Sequence, residues 1–276
     1  MTEQHGDGSG DRYLAREGAR IAYEVTGERA GPPVGYAHGV MLSRAAVRRL
    51  DLLDLDAMAG GRRLLTYDAR GHGRSTGRPV AEDYRFGTYA RDLLALLDAV
   101  GFDEPMDFTG SSLGADTALR AALLAPGRFR RLVLMIPPVA WETGEGPHAR
   151  DWYTAAADTI EAHGAERWRE GWAKEADTEL MPLFDGYPQF DMTPDVSDEL
   201  LPYALRGVGA SDLPSPEEIA TVRHPTLVLA WDADPLHPVS TAERLHALLP
   251  ESELHVSGSV EDVQGWTRRI AEFLER

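Results

Sequence analysis

The sequence contains no cysteine and only one lysine, Lys174, among its 276 residues. The absence of cysteine excludes disulfides, thiolate nucleophiles and zinc–thiolate sites, so any nucleophile must be an oxygen or a nitrogen. No stretch approaches the roughly 18 consecutive apolar residues that a membrane span requires, so we expect no membrane partner. Arginine carries nearly all of the positive charge, and that bias by itself indicates no particular chemistry.

Positive charge is also scarce in total. There are 28 Lys and Arg residues against 45 Asp and Glu residues, which gives a net charge of −17. Such a chain repels phosphate backbones, so we expect no nucleic-acid partner. Clustered histidines and phosphate-cradling glycine loops are missing as well, so we expect neither a metal nor a cofactor. The remaining partner class is a small-molecule substrate, and the sequence does not indicate an oligomeric state.

The first residues also lack a feature, namely the apolar core of a secretory signal. Residues 1–12 are polar and rich in glycine. This composition predicts a disordered tail and a cytoplasmic location.

Short apolar runs that alternate with segments of helical spacing occupy most of the remaining chain. Residues 13–27 alternate around Gly18, which predicts an opening hairpin. The later runs are typical of buried strands, and the segments between them, such as 89–100 and 113–125, have the spacing of helices. Strands and helices in alternation predict a mostly parallel, eight-stranded sheet flanked by helices, with ligands at the carboxyl ends of the strands.

The alternation stops between residues 140 and 223, where tryptophan, tyrosine and phenylalanine are frequent. We interpret this segment as a helical lid inserted into a core formed by residues 13–139 and 224–276. Most of these aromatic residues pack the inserted segment itself, since that is the ordinary role of aromatic side chains. Their density nevertheless favours an apolar substrate cavity, and Trp141 is our candidate for a contact with the substrate.

One motif carries a specific chemistry. A predicted strand leads into Gly110-Ser111-Ser112-Leu113-Gly114, and a predicted helix follows. This order of elements is the context in which a G-x-S-x-G pattern forms a sharp turn that exposes its serine as a nucleophile. At the start of the helix, the partial positive charge of the helix dipole favours a developing oxyanion. The sequence therefore predicts acyl transfer through Ser112.

Two further segments share a resemblance with this motif. A strand runs into His38-Gly39-Val40, and residues 67–75 read YDARGHGRS. Together with the serine turn, these segments resemble the α/β-hydrolase fold superfamily over residues 20–138. The resemblance implies that the N–H groups of Val40 and Leu113 form an oxyanion hole, and that His38 braces its loop. In the third segment we expect Asp68 and Arg70 to pair as scaffold.

The resemblance also implies a carboxylate after the predicted strand at residues 226–231. Asp232 and Asp234 both follow that strand. Asp234 stands four residues before Pro238, which is the spacing of the family's acid loop, whereas Asp232 lies closer to the strand. We therefore prefer Asp234 as the acid.

The family's histidine, which follows the last strand, is missing, because residues 256–263 contain no histidine. A serine hydroxyl needs a base, so the candidates are other residues. His237 lies on the acid loop. His255 lies within a predicted strand whose alternation directs it away. Glu261, Asp262, a lid residue or no base at all remain open.

The motifs favour an enzyme that acts through Ser112 on a small, largely apolar ester, thioester or lactone, with an atypical or missing base. The missing histidine keeps two alternatives open on the same fold, since a fold does not determine a function. One is a non-hydrolytic enzyme such as a cyclase or lyase, and the other is a ligand-binding protein.

Overall fold

The chain builds one eight-stranded sheet. The computed structural model describes residues 10–102, 104–142, 148–175 and 181–276. The strands are β1 (Arg12–Arg16), β2 (Ala19–Thr26), β3 (Arg29–Ala37), β4 (Arg62–Tyr67), β5 (Met106–Ser111), β6 (Phe129–Met135), β7 (Thr226–Trp231) and β8 (Ser252–Ser257). Their order across the sheet is β1-β2-β4-β3-β5-β6-β7-β8. The strands β1, β2 and β4 pair antiparallel and all other neighbours pair parallel, which confirms a mostly parallel sheet.

Helices cover both faces of this sheet. They are α1 (Arg44–Leu50), α2 (Leu55–Ala59), α3 (Phe86–Val100), α4 (Leu113–Leu124), α5 (Asp151–His163), α6 (Ala165–Glu175), α7 (Leu201–Gly209), α8 (Pro216–Ile219), α9 (Val239–Leu248), α10 (Val260–Gln264) and α11 (Trp266–Glu275). Successive residues of a strand point to opposite faces. Accordingly Leu134 packs in the cluster that contains helices α3 and α4, while Val133 and Met135 pack in the cluster that contains α1, α2 and α11. The sheet is therefore buried on both sides, which is the usual condition of parallel strands.

The predicted tail is shorter than expected. Strand β1 already begins at Arg12, and Asp11 is buried and forms an ion pair with Arg44 at 3.0 Å. This long-range pair fixes residues that composition alone assigns to a tail. Residues 1–9 lie outside the described residues.

The inserted segment, residues 140–223, connects β6 to β7 and contains α5, α6, α7 and the short α8. Residues 143–147 and 176–180 of this segment lie outside the described residues. Helix α5 packs against both α6 and α7. In the parts of the chain that are described, no helix has the length and apolarity needed to cross a membrane.

Candidate active site

Ser112 lies between the end of β5 and the first residue of α4, in a backbone conformation that L-amino acids rarely adopt (φ 54°, ψ −111°). The neighbouring glycines allow this turn by the space that they leave. A β-carbon on Gly110 would lie 2.0 Å from the carbonyl oxygen of Gly114, and one on Gly114 would lie 2.2 Å from the carbonyl oxygen of Ala37. Strain of this kind costs about 1–3 kcal/mol and concentrates at functional positions.

The Gly110→Ala variant is expected to lose at least about 3 kcal/mol of unfolding free energy, because its methyl group would overlap main-chain atoms that cannot move away. Urea denaturation measures this loss. Gly127→Ala is the matched control, since no described atom lies within 4 Å of its added β-carbon, and it should stay within about 0.5 kcal/mol of the parent. Equal stability of the two variants would contradict the close packing described for the turn.

The side chains of Ser112, His237 and Asp234 form a continuous hydrogen-bonded chain. The distance between Ser112 Oγ and His237 Nε2 is 2.8 Å, and the distance between His237 Nδ1 and Asp234 Oδ2 is 2.6 Å. A carboxylate only accepts hydrogen bonds, so Nδ1 carries a proton and the Nε2 of a neutral ring accepts the serine proton. All three residues are at most 7% exposed. This arrangement can activate a serine hydroxyl.

Asp234 is held by donors on both of its oxygens. Its Oδ1 accepts the backbone N–H groups of Leu236 and His237, and its Oδ2 accepts the Trp231 indole N–H at 3.1 Å in addition to the His237 bond. Burial opposes ionisation, but His237, Trp231 and Leu236 outweigh it and hold the pKa of Asp234 below its usual value. The carboxylate is therefore charged and fixed in position at neutral pH.

The loop at residues 38–40 adjoins the serine turn. A β-carbon on Gly39 would lie 3.4 Å from the Ser112 β-carbon. In the described part of the chain, no group accepts a hydrogen bond from the Val40 or Leu113 N–H. Leu113 is the first residue of α4, so its N–H has no partner within the helix. Two free N–H donors therefore flank Ser112.

His38 is completely engaged in its own loop. Its Nε2 accepts the Ala69 N–H at 2.9 Å, so Nδ1 carries the proton and donates to the Gly39 carbonyl at 2.8 Å. Burial lowers the pKa of His38 and keeps the ring neutral. The side chain ties the end of β3 to the loop after β4, which agrees with the bracing role implied by the resemblance.

The expected pairing of Asp68 with Arg70 is wrong. Asp68 pairs with Arg44 at 3.1 Å, and Arg70 pairs with Asp92 at 2.9 Å. The partners come from α1 and α3, which sequence proximity does not reveal. His72 is fully buried in the same loop, and burial lowers its pKa to about 3.

The other candidate bases lie elsewhere. The Nε2 atom of His255 contacts both carboxylate oxygens of Asp262 at 3.1 Å. The side chains of Glu261 and Asp232 are exposed, and none of these four residues lines the cavity onto which Ser112 opens. Of the two carboxylates considered for the acid, Asp234 is the one that contacts His237.

The cavity beside Ser112 is lined almost entirely by apolar side chains. The residues that line it include Met41, Leu53, Met135, Tyr153 and Trp172. None of the described lining residues is Asp, Glu, Lys or Arg. Its wall combines the sheet edge, the chain around α1 and the inserted segment. Sequence reasoning missed the contribution near α1, because Leu50, Leu52 and Leu53 follow a helix of only seven residues.

Trp141 is not brought to this cavity. Its indole N–H donates to the Pro214 carbonyl at 2.9 Å, its backbone N–H donates to Asp212, and the Arg244 guanidinium lies over its ring. These contacts direct the ring away from Ser112, so the assignment of Trp141 to substrate contact is not supported by its position. In the described ranges, no group of three or more histidine or acidic side chains could hold a metal ion.

Comparisons with known proteins agree with this fold. The chain is 28% identical over 272 residues to a 2-hydroxy-6-oxo-2,4-heptadienoate hydrolase of Pseudomonas putida, covering 89% of this chain and 90% of that protein. It is 25% identical over 239 residues to a 3-oxoadipate enol-lactonase of Acinetobacter baylyi, covering 83% and 81% of the two chains. The crystal structure of a hydrolase from Pseudomonas aeruginosa superposes with a TM-score of 0.77 at 25% identity, covering 98% of this chain and all of that one. The model of the alpha/beta hydrolase fold family matches residues 32–266, and the chain therefore belongs to that family.

Proposed function

We propose that this protein is a serine hydrolase in which Ser112 is the nucleophile, His237 the general base and Asp234 the residue that orients the base. The observation that carries the proposal is the hydrogen-bonded chain from Ser112 Oγ to Asp234, with links of 2.8 and 2.6 Å. Both distances are those of a working nucleophile–base pair and its orienting acid. The hydrolase and lactonase names of the relatives point to the same reaction class.

The reaction proceeds in two halves. The Ser112 oxygen attacks the substrate carbonyl carbon while His237 Nε2 takes the serine proton, and the N–H groups of Val40 and Leu113 hold the resulting oxyanion. His237 then gives the proton to the departing alkoxide or thiolate, which leaves an acyl group on Ser112. A water molecule attacks this ester, His237 accepts its proton and returns it to Ser112, and the carboxylic acid is released. Asp234 stabilises the imidazolium in both halves.

The inserted segment acts as a lid in this proposal. Its residues Tyr153 and Trp172 are buried and line the cavity, and Met192 adds a half-buried side chain. The Tyr153 hydroxyl has no hydrogen-bond partner in the described part of the chain. This polar group on an apolar wall supplies a contact for an ester oxygen. A closed apolar site also strengthens the electrostatic contacts around the oxyanion.

The cavity favours an uncharged acyl group. A carboxylate buried there meets no cationic side chain among the described lining residues, and an unpaired buried charge costs several kcal/mol. The names of the two curated relatives refer to heptadienoate and oxoadipate, which are carboxylates. We therefore propose that this protein acts on small neutral esters, thioesters or lactones.

Two esters that differ only in charge test both parts of this proposal. The purified protein should hydrolyse p-nitrophenyl methyl adipate with a kcat/KM at least about 100-fold higher than that for p-nitrophenyl hydrogen adipate, which corresponds to about 2.7 kcal/mol. Release of p-nitrophenolate measures both rates. Leu53→Arg, which adds a cation at a half-buried position of the wall, should narrow the ratio.

The two parts of the proposal fail differently. If the protein hydrolyses neither ester nor a thioester or lactone of similar size, it is not the hydrolase proposed. If the two adipate esters react equally well, the reaction class stands and the neutral substrate class is wrong.

A further inference from the structure

Trp231 connects the triad acid to the wall of the substrate cavity. Its indole N–H donates to Asp234 Oδ2, the same oxygen that contacts His237 Nδ1. The other three donors to Asp234 belong to the loop that follows β7, whereas Trp231 is the last residue of β7 itself. Trp231 is thus the side chain that ties the position of the carboxylate to the sheet.

The Trp231 ring is fixed from both sides. It stacks on Trp266 with ring centroids 5.6 Å apart and packs edge-to-face on Phe184 at 4.9 Å. The Trp266 indole in turn donates to Ser257 Oγ at 2.8 Å, at the end of β8. These contacts leave the Trp231 indole little freedom to turn, and it is only 7% exposed. Its N–H is therefore aimed at Asp234 before any substrate binds.

The support comes from the end of β8, close to the place where the family resemblance implies the histidine. Trp231 pairs with Ser257 in the sheet register, and Gly258 follows. In this chain the end of β8 provides no imidazole. Its Ser257 instead anchors Trp266, which supports Trp231.

We propose that Trp231 is a positioning residue of the triad, which holds the Asp234 carboxylate in line with His237 by its indole N–H. The proposal rests on the proposed function, because it assigns a role within the Ser112–His237–Asp234 chain. A hydrogen bond to a charged acceptor restricts that acceptor more strongly than a neutral one. Trp231 also lines the cavity, so the same ring forms part of the acyl-group wall.

The Trp231→Phe variant tests this role because it keeps an aromatic ring for the stack and removes only the donor. We expect kcat with p-nitrophenyl butyrate to fall about tenfold, equivalent to about 1.4 kcal/mol, while KM changes by less than about threefold. Active-site titration by the burst of p-nitrophenolate counts the folded sites, so that kcat refers to active protein. Trp141→Phe is the matched control, because it also removes an indole hydrogen bond but lies outside the cavity.

The pH profile separates positioning from packing. Without the donor the negative charge of Asp234 is less stabilised, so the Asp234–His237 pair holds its protons more tightly. The acid limb of kcat/KM should therefore move by about half a pH unit to one unit toward higher pH in Trp231→Phe and stay in place in Trp141→Phe. Tyr153 is the other titratable group that interacts with Asp234, and it is unchanged in both variants.

The outcomes are distinct. A lower kcat per active site together with the displaced acid limb supports the positioning role. A lower kcat with an unmoved limb assigns Trp231 to packing and overturns the proposal, as does a kcat within twofold of the parent. If the parent protein shows no hydrolysis that depends on Ser112, the proposed function fails instead, and the two failures cannot be confused.

Discussion

The His237→Gln variant is expected to lose about four orders of magnitude or more in kcat toward a neutral ester. Glutamine has a similar reach and still forms hydrogen bonds, but it cannot take the proton of Ser112 at neutral pH. In the structure, the His237 ring is the imidazole in contact with Ser112 Oγ, at 2.8 Å. Steady-state release of p-nitrophenolate from p-nitrophenyl butyrate measures the loss.

His255→Gln is the matched control for this variant. His255 lies near the position of the family's histidine, but its ring contacts Asp262 rather than Ser112. We expect its kcat to remain within about twofold of the parent, since a change at a partly exposed surface pair has a small effect. A large loss in His255→Gln together with near-normal activity in His237→Gln would overturn the assignment of the base.

The Ser112→Ala variant is expected to lose about five to six orders of magnitude in kcat, because no other oxygen is placed to form the acyl intermediate. Residues that act as a unit are not additive, so the double variant Ser112→Ala/His237→Gln should be about as slow as Ser112→Ala alone. The remaining rate should exceed that in water by about a thousandfold or more, through the oxyanion donors and binding.

Kinetics of the two single variants and the double variant measure this prediction. Circular dichroism and thermal unfolding control for folding, since neither replacement disturbs the glycines that permit the turn. Substantial turnover of a natural substrate by Ser112→Ala would favour the non-hydrolytic alternatives, a cyclase or lyase, on the same fold.

An acid and a base from one short loop require that this loop be well fixed. Asp234 and His237 are three residues apart, and the His237 backbone N–H donates to Asp234 Oδ1. The turn includes Ala233 in a left-handed conformation (φ 63°), and the Val139 N–H donates to the Leu236 carbonyl at 2.9 Å. The loop thereby holds the imidazole on the Ser112 side, where alternation along β8 would turn His255 away.

The local features could be predicted from the sequence. The turn around Ser112 depends on glycines and on the strand and helix beside it, all within residues 106–125. Strand β7 was predicted with its observed bounds, because its apolar run ends abruptly at Asp232. Helices α10 and α11 were predicted as one helix, since the apolar spacing continues across the break at Gly265.

Features that depend on contacts distant in sequence could not be predicted. The choice between His237 and His255 requires the path of the loop after β7, and the pairing of Asp68 with Arg44 requires the position of α1. Helices α1 and α2 have seven and five residues, which is too short for a clear period. Trp231 was read only as the end of a strand, because nothing local reveals that its indole reaches Asp234.

The most direct test of a triad built from Ser112, His237 and Asp234 is the rate at which a fluorophosphonate probe labels the folded protein. The account predicts rapid labelling at Ser112, no labelling of Ser112→Ala, labelling slowed by at least about a thousandfold in His237→Gln, and unchanged labelling in His255→Gln. Peptide mass spectrometry identifies the modified residue. Parent protein that stays unlabelled while folded, or His237→Gln that is labelled as fast as the parent, would contradict the account.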